Sequence, residues 1–533
     1  MAEPILFFGD CRDAMKKLPD NTFDSIVTDP PYGLSKPPDM REVLLHWLAD
    51  LEYEHDSKGF MNLEFDRFIP GPLIWKEVLR VAKPGATLLC FAGARTQDLM
   101  GLSLRLAGWE IIDTIMWLQF QGMATGADIS KLIDKKFGAE REVLKEGSPP
   151  PENFKRGVLD NRGPNSFGNA TITAPATDLA KSFVGFRSRV KSFYEPIIVA
   201  QKPLDGNYAE NAIKWGVAGL NIDACRIAGH NPSVDRRESA KKSGIAPISE
   251  RHIGSKSAED ANAKGKMAYR GSFEIYTEDR PSEQLGRFPC NVIISHTEDC
   301  KLLGYKKVES KSKATAGGHR KGSIYGNYEG YEEPIEIGYA DKEGKELVED
   351  WDCPEYCPVR QLDEHTGVLK SGDNCVRRKE GAFGAGSEKH GGLGKAGDVQ
   401  TTYGDEGGAS RFFYCPKTSP SERLLGCEDL FWKREGKVMV PCTEEEYKDT
   451  HESKRARGNI GPTVKPINLM EYLTKLVKTP TEGVCFDPFM GTGSTGVACL
   501  MNGMDFVGCE MDSNYFRIAE TRINLIKELS ELL

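Results

Sequence analysis

The sequence lacks the features that would assign it to a membrane or to the secretory pathway. It contains no run of about 18 consecutive apolar residues, the length that a membrane-spanning helix requires. The first residues, Met1-Ala2-Glu3-Pro4, carry neither a basic region nor an apolar core, so no secretory signal is expected there. These absences predict a cytoplasmic protein without a membrane partner.

Positive charge is in deficit, because 70 Lys and Arg residues face 79 Asp and Glu residues for a net charge of −9. This balance excludes a uniformly basic coat but leaves room for local basic patches, which are what phosphate attraction requires. Such patches occur between residues 223 and 410, where Gly and Ser are frequent and hydrophobic periodicity is poor. Two interpretations stay open for them, a solvated insertion and a phosphate-contacting surface. The basic residues are Arg236, Arg237, Lys241, Lys242, Arg251, Lys256, Lys264, Lys266, Arg270, Lys306, Lys307, Lys311, Lys313, Arg320 and Lys321.

The 14 cysteines are not arranged as a secreted disulfide framework, since many lie in apolar contexts typical of free thiols in a reducing compartment. Two pairs stand apart, His296 with Cys300 and Cys353 with Cys357, separated by about fifty residues. Four such side chains match the ligand set of a structural zinc ion. The sequence therefore predicts a zinc site in the insertion, with ordinary free cysteines as the alternative.

At 533 residues the chain exceeds one compact domain, and two or three are expected. Short apolar runs alternate with amphipathic segments before residue 222 and again after residue 411, which indicates an α/β fold with a largely parallel sheet. The composition predicts three parts: residues 1–222, an irregular insert at 223–410, and residues 411–533.

The first informative stretch is Thr28-Asp29-Pro30-Pro31-Tyr32-Gly33, directly after the apolar run 23–27. The two prolines prevent the strand from continuing and disfavour a helix, so the chain must leave the sheet in a stiff loop. That loop presents a carboxylate, a carbonyl and an aromatic ring, which together suit a planar aromatic amine. A simple turn at the end of a strand is the alternative.

The second stretch is Phe486 to Gly496, which reads as a strand, a glycine-rich loop and the start of a helix. Small residues let a ligand approach the backbone, and the acidic Glu510 ends the next strand about 20 residues on, where it can accept hydrogen bonds from a ribose. The loop lacks the Gly-Lys-Ser/Thr ending of a phosphate loop. This arrangement predicts an adenosine-containing ligand, with a tight α/β turn as the alternative.

Taken together, Asp29-Pro-Pro-Tyr32 and Phe486-Asp-Pro-Phe-Met-Gly491-Thr-Gly493 resemble the motifs of S-adenosylmethionine-dependent DNA amino-methyltransferases. The catalytic motif precedes the cofactor motif, which is the order found in the β class. Gly9-Asp10-Cys11 resembles the opening motif of that class, and Pro462 to Pro466 its motif ahead of the cofactor strand. That class usually has a histidine where this chain has Gly461, so no role is assigned to such a histidine.

The resemblance implies a Rossmann-like class I methyltransferase fold with a mixed, mostly parallel seven-stranded sheet, circularly permuted and carrying a long target-recognition insert. It implies transfer of a methyl group to the N6 amine of a flipped-out adenine in double-stranded DNA. Tyr32 would stack on the base, while Asp29 and the Pro30 carbonyl would accept hydrogen bonds from the amine. Pro31 completes the motif.

The same resemblance assigns residues to the cofactor, S-adenosylmethionine. Glu510 would hold the ribose, Asp10 the adenine amine with the Cys11 backbone beside it, and Thr463 and Lys465 the carboxylate. The loop and the helix after it complete the set, through Asp487, Pro488, Phe489, Gly491, Gly493, Ser494 and Thr495.

Alternatives to adenine methylation stay open. Cytosine-N4 methylation is the nearest, and Asp29 favours adenine because cytosine-N4 members often carry Ser there. A non-catalytic nucleic-acid-binding protein on the same fold, and methylation of RNA or protein, are the others. Members of the class include homodimers and partners of a restriction nuclease, and either arrangement is compatible with the motifs.

Overall fold

The computed structural model describes most of the chain outside the insert and parts of the insert. The described ranges are 4–34, 37–56, 66–119, 126–146, 171–190, 193–227, 288–309, 314–316, 335–337, 345–370, 375–376, 399–400, 406–417, 420–436, 438–481 and 483–532. Most of the predicted basic residues of the insert lie outside these ranges.

The chain divides into two compact units. The first combines Met1–Asn221, Asn291–Glu298 and Cys415–Leu533, and the second combines Ile222–Cys290 with Asp299–Tyr414. The first unit is thus assembled from both ends of the chain.

An eight-stranded sheet forms the centre of the first unit. Its spatial order is β1-β8-β7-β2-β3-β5-β4-β6, and β5 runs antiparallel to both of its neighbours while the other pairings are parallel. The strands are β1 (Ile5–Phe8), β2 (Phe23–Thr28), β3 (Ala82–Phe91), β4 (Glu110–Leu118), β5 (Tyr194–Gln201), β6 (Val292–Ile294), β7 (Val484–Asp487) and β8 (Asp505–Glu510). This sheet confirms the predicted mixed, mostly parallel α/β fold. The three-residue strand β6, which is too short to give a sequence signal, adds an eighth strand to the expected seven.

The central strands are apolar because helices cover both faces of the sheet. All six residues of β2 are buried, and the Phe23 ring stacks on Phe486 of β7 at 4.4 Å between centroids. The helices of this unit are Cys11–Met15, Met40–Leu48, Pro72–Val81, Gln97–Ala107, Ile129–Phe137, Asp178–Ser182, Tyr208–Trp215, Pro420–Leu424, Glu444–Asp449, Ile467–Val477, Ser494–Met501 and Ser513–Leu532.

Smaller elements complete the first unit. Phe431–Glu435 pairs with both Val438–Cys442 and Arg455–Arg457 in a three-stranded antiparallel sheet, and Val143–Lys145 pairs with Ile172–Thr173. Among the described helices of the chain, none is both long and apolar enough to cross a bilayer.

The second unit is built on an antiparallel pair, Lys301–Glu309 with Lys345–Asp352, and on the helix Pro358–Thr366. Within its described residues, short two-stranded ladders and two 3₁₀ turns make up the other regular elements. The ladders are Ala314–Ala316 with Ile335–Ile337, Leu369–Lys370 with Glu406–Gly407, and Cys375–Val376 with Val399–Gln400, and the 3₁₀ turns are Asp223–Cys225 and Ala409–Phe412.

Candidate active site

The two sequence motifs leave the sheet at the same edge. Strands β2 and β7 are parallel neighbours, with Ser25 opposite Cys485 and Ile26 opposite Phe486. Their carboxyl ends therefore release the loops after Thr28 and after Asp487 side by side. A buried hydrogen bond joins the two ends, since the Thr28 hydroxyl donates to Asp487 Oδ1 at 2.6 Å.

The loop that follows β2 is fixed by side chains from elsewhere in the first unit. Asp66 Oδ1 accepts from the backbone amides of Tyr32 and Gly33, both at 2.8 Å. The Thr96 hydroxyl donates to the Tyr32 carbonyl at 2.6 Å. Gly33 has φ +61°, and a Cβ there would lie 3.0 Å from the Ile69 amide nitrogen. Backbone clamps of this kind hold the Tyr32 ring in one place before any ligand arrives.

Asp29 has one oxygen engaged and one unpaired. Oδ2 accepts from Lys465 Nζ at 2.6 Å, whereas Oδ1 is buried and has no hydrogen-bond partner within the described part of the chain. Burial raises the pKa of Asp29, and the Lys465 ammonium opposes that effect. A buried acceptor without a donor is costly unless a ligand supplies one, so Oδ1 is an available acceptor for an amine.

The loop that follows β7 is organised around Asp487. Its carboxylate accepts from the Thr28 hydroxyl, the Phe489 amide at 3.0 Å and the Thr495 hydroxyl at 2.6 Å. Burial nevertheless raises the pKa of Asp487 to about 6. Because all of these bonds are internal, Asp487 shapes the loop.

Two glycines make this loop suitable for a ligand. Gly491 has φ +55°, and a Cβ there would meet no atom within 4 Å, so the backbone borders open space. Gly493 has φ +81°, and its Cβ would lie 2.9 Å from Ala519 Cα, so the backbone packs directly on the helix Ser513–Leu532. L-residues rarely adopt such angles, which explains glycine at both positions.

Glu510 lies beside this loop, at the end of β8. Its carboxylate accepts from the Gly491 amide at 2.8 Å and from the Asp512 amide at 2.7 Å. A carboxylate has about four lone-pair sites, so two further bonds are available for ribose hydroxyls. Burial raises the pKa of Glu510 to about 7.

Asp10 lies near Glu510 because β1 pairs with β8, and the Gly9 amide donates to the Glu510 carbonyl at 2.9 Å. The Asp10 carboxylate accepts from the Arg12 amide at 2.8 Å and forms an ion pair with the Arg12 guanidinium at 2.6 Å. The Arg12 interaction holds the pKa of Asp10 below its ordinary value.

The other predicted cofactor residues have mixed placements. Cys11 and Pro488 are buried, and Phe489 packs edge-on against Trp75 at 6.0 Å between centroids. The Ser494 hydroxyl accepts from the buried Arg522 guanidinium at 3.2 Å. Thr463 is exposed.

The Lys465 side chain contacts the loop that follows β2. It is 7% exposed, and its ammonium contacts Asp29 Oδ2 in that loop. Glu195, which the motifs did not identify, lies 3.4 Å from the same ammonium. No local pattern around Glu195, Asp66 or Thr96 identifies these residues as part of a site, since each reaches the motif loop only through the fold.

Three of the four predicted zinc ligands meet in the second unit. Lys301 pairs with Asp352. Cys300 directly precedes Lys301 and Cys353 directly follows Asp352, so both cysteines lie at the same end of the paired strands. Cys357 precedes the helix Pro358–Thr366, and the Sγ atoms of the three cysteines lie within 4.8 Å of one another. His296 precedes Cys300 by four residues and belongs to the first unit.

Comparison with known proteins supports the resemblance drawn from the motifs. The N6/N4 methyltransferase family model, described as DNA methylase, matches residues 303–521, which is less than half of the chain. The chain is 35% identical over 86 residues to the type II methyltransferase M.HinfI of Haemophilus influenzae, covering 16% of this chain and 23% of that protein. It is 36% identical over 63 residues to the type II methyltransferase M2.LlaDCHI of Lactococcus lactis subsp. cremoris, covering 12% and 23%.

The matched regions thus span about a quarter of the length of these curated relatives. Among solved structures, the PvuII DNA methyltransferase, titled as cytosine-N4-specific, aligns with 100% of this chain and 93% of its own at 8% identity and a TM-score of 0.31. The predicted similarity to S-adenosylmethionine-dependent DNA amino-methyltransferases is confirmed by the family model and the curated relatives.

Proposed function

We propose that this relative of the DNA amino-methyltransferases transfers a methyl group from S-adenosylmethionine to the exocyclic N6 amine of adenine in duplex DNA. The observation that carries the proposal is the unpaired, buried Asp29 Oδ1 on a loop that leaves the sheet beside the loop of Gly491. Cytosine-N4 methylation is the second candidate. Asp29 favours adenine-N6 methylation, because enzymes that methylate cytosine-N4 often carry Ser at this position.

The residues present fit the proposed cofactor. Open space at Gly491 and the two free lone-pair sites of Glu510 suit a ribose and its substituents, and Asp10 is close to Glu510 on the next strand. When bound, S-adenosylmethionine supplies an electrophilic sulfonium methyl group.

The chain's own residues would then orient the amine. Its lone pair is delocalised into the base ring, which makes it a poor nucleophile. Asp29 Oδ1 and the Pro30 carbonyl accept hydrogen bonds from its two N–H groups and draw the nitrogen towards a tetrahedral geometry, so the lone pair becomes available. Stacking on Tyr32 fixes the base plane at a gain of about 1–3 kcal/mol. Catalysis of this kind depends on positioning and fixed electrostatics.

Methyl transfer from a labelled donor tests the proposal. Purified protein is incubated with duplex DNA, RNA or protein, and the labelled product is digested and identified. We expect N6-methyladenine from duplex DNA alone. N4-methylcytosine would select the second candidate, and label confined to RNA or protein would overturn the DNA assignment.

We also propose a structural zinc ion in the second unit, held by Cys300, Cys353 and Cys357. Three sulfurs within 4.8 Å of one another support this, because thiolates at that spacing are the usual ligands of structural zinc. Metal analysis should give about one zinc per chain, and Cys353→Ser should lose it while the exposed Cys290→Ser keeps it. Substoichiometric zinc in the unaltered protein would overturn the proposal.

A further inference from the structure

The buried Lys465 ammonium interacts with two carboxylates, those of Asp29 and Glu195, beside the loop that follows β2. Lys465 Nζ donates to Asp29 Oδ2 at 2.6 Å and lies 3.4 Å from Glu195 Oε2. The rings of Tyr32 and Phe91 flank it, with centroids at 5.3 and 4.9 Å. Lys465 is 7% exposed, so solvent screens these interactions little.

Glu195 connects this charge cluster to the stacking tyrosine. The Tyr32 hydroxyl donates to Glu195 Oε2 at 2.9 Å, and the Gln119 amide donates to Oε1. Glu195 lies on β5 opposite Trp117 of β4, so the antiparallel pairing of these two strands positions it. Both oxygens of Glu195 are therefore engaged by groups of the site.

We propose that Lys465 and Glu195 are positioning residues that set the orientation and the charge of Asp29, and that Glu195 also holds the Tyr32 ring. This inference rests on the proposed function, because it takes Asp29 as the acceptor of the substrate amine. It differs from the predicted role of Lys465, which was contact with the cofactor carboxylate.

Geometry supplies the first reason. With Oδ2 bound to Lys465, the Asp29 carboxylate cannot rotate freely, and Oδ1 is the oxygen that points away from the internal partner. A substrate amine therefore meets one acceptor in one orientation. Preorganisation of this kind lowers the entropic cost of reaching the transition state.

Electrostatics supplies the second reason. The groups that interact electrostatically with Asp29 are Lys465, Glu195, Tyr32, Cys90 and Asp487. Burial raises the pKa of Asp29, Lys465 lowers it and Glu195 raises it. Only the ionised carboxylate can accept at both oxygens, at Oδ2 from Lys465 and at Oδ1 from a substrate amine. The opposing effects of Lys465 and Glu195 therefore decide which fraction of Asp29 is ionised and active.

Lys465 and Glu195 shift the pKa of Asp29 in opposite directions. This difference gives a test that a merely structural role would not pass. Lys465→Met keeps the length and apolar stem but removes the charge. We expect kcat to fall about 100-fold and the acidic limb of the kcat–pH profile to move up by about one unit. Glu195→Gln should move the same limb down. Lys475→Met, which removes a lysine of a helical ion pair with Glu471, should change neither.

Binding of the cofactor separates this proposal from the predicted alternative. Calorimetric titration of S-adenosylmethionine into Lys465→Met should give a Kd within about threefold of the unaltered protein. A Kd at least tenfold weaker, with an unchanged pH profile, would assign Lys465 to the cofactor carboxylate and overturn the proposal. The proposal would also be overturned if the acidic limb of the kcat–pH profile moved in the same direction in Lys465→Met and in Glu195→Gln.

A measurement without DNA keeps this inference distinct from the proposed function. Urea unfolding of Asp29→Asn, Lys465→Met and the double variant should show non-additive losses, because either single change already removes the Lys465–Asp29 ion pair and the second change cannot remove it again. Additive losses would contradict the pairing. Non-additive losses in a protein that does not methylate DNA would overturn the proposed function and leave the Lys465–Asp29 pairing in place.

Discussion

At the scale of single residues, the site depends on carboxylates whose environments differ. Asp10 is held ionised by Arg12, while burial favours the protonated form of Glu510 and Asp487. These three acidic residues lie at the ends of three neighbouring strands, β1, β7 and β8. Their pKa values shift differently because burial and local hydrogen-bond donors differ at each of them.

The pKa of Glu510, raised by burial to about 7, predicts a pH-dependent affinity for S-adenosylmethionine. In the proposed complex, ribose hydroxyls donate to the ionised Glu510 carboxylate, so binding favours loss of the proton. The Kd should therefore fall as the pH rises through about 7 and level off above it. Calorimetric titrations from pH 6 to 8.5 measure this, and Glu510→Gln should give a weaker affinity with a flat profile.

The same residue predicts the opposite trend for stability without ligand. An unfolded glutamate has a pKa of about 4.3, so between that value and about 7 the folded state holds a proton that the unfolded state has lost. The free energy of unfolding should then decrease as the pH rises through this window. An equal slope in Glu510→Gln would contradict the assignment.

At the scale of elements, the loops at the ends of β2 and β7 were largely predictable and the groups that hold them were not. Prolines and glycines determine where a strand must end, so the loops after β2 and β7 and the position of Glu510 can be predicted from the local sequence. Asp66, Thr96 and Glu195 reach Tyr32 from 34, 64 and 163 positions away. Contacts at such separations leave no local pattern.

The sequence predicts helices and strands correctly where hydrophobic periodicity is strong, and the prediction is wrong where that periodicity is weak. The sequence of residues 97–106 predicts a helix, and the structure has one at Gln97–Ala107. The sequence of residues 109–118 predicts a strand, and the structure has one at Glu110–Leu118. The aromatic run Arg411 to Tyr414 predicts a strand, but a 3₁₀ turn forms at Ala409–Phe412. Tertiary contacts override β propensity in such a short segment.

The loop that follows β7, which is the proposed cofactor loop, provides a prediction at this scale. Gly493→Ala forces an L-residue to φ +81° and places a Cβ 2.9 Å from Ala519 Cα. We expect a loss of about 1–3 kcal/mol in the free energy of unfolding together with weaker cofactor binding. Urea unfolding and calorimetry measure the two effects.

Gly101→Ala is the matched control. Gly101 lies inside the helix Gln97–Ala107, and a Cβ there meets no atom within 4 Å. This change should increase the free energy of unfolding by about 0.5–1 kcal/mol. Equal effects of the two substitutions would contradict the account of Gly493.

At the scale of the whole molecule, both ends of the chain build one sheet. Strands β7 and β8 lie between β1 and β2 in the spatial order, although about 460 residues separate β2 from β7 along the chain. The alternation of strands and helices predicted an α/β fold, but only the motif resemblance indicated that the two ends combine.

This order predicts the behaviour of truncated chains. A fragment of residues 1–298 lacks the two strands between β1 and β2, so β2 presents an open apolar edge. We expect no cooperative thermal unfolding transition for this fragment alone, and recovery of one on co-expression with residues 415–533. Cooperative unfolding of the isolated fragment would contradict the sheet order.

The central claim is that Asp29 activates an adenine amine beside the cofactor loop. The most direct measurement is nucleoside analysis by mass spectrometry of DNA from a methylation-free host that expresses either the unaltered chain or Asp29→Ala at equal levels. The account predicts N6-methyladenine with the unaltered chain and none with the variant. Equal N6-methyladenine in both, or no methylated nucleoside with the unaltered chain, would contradict it.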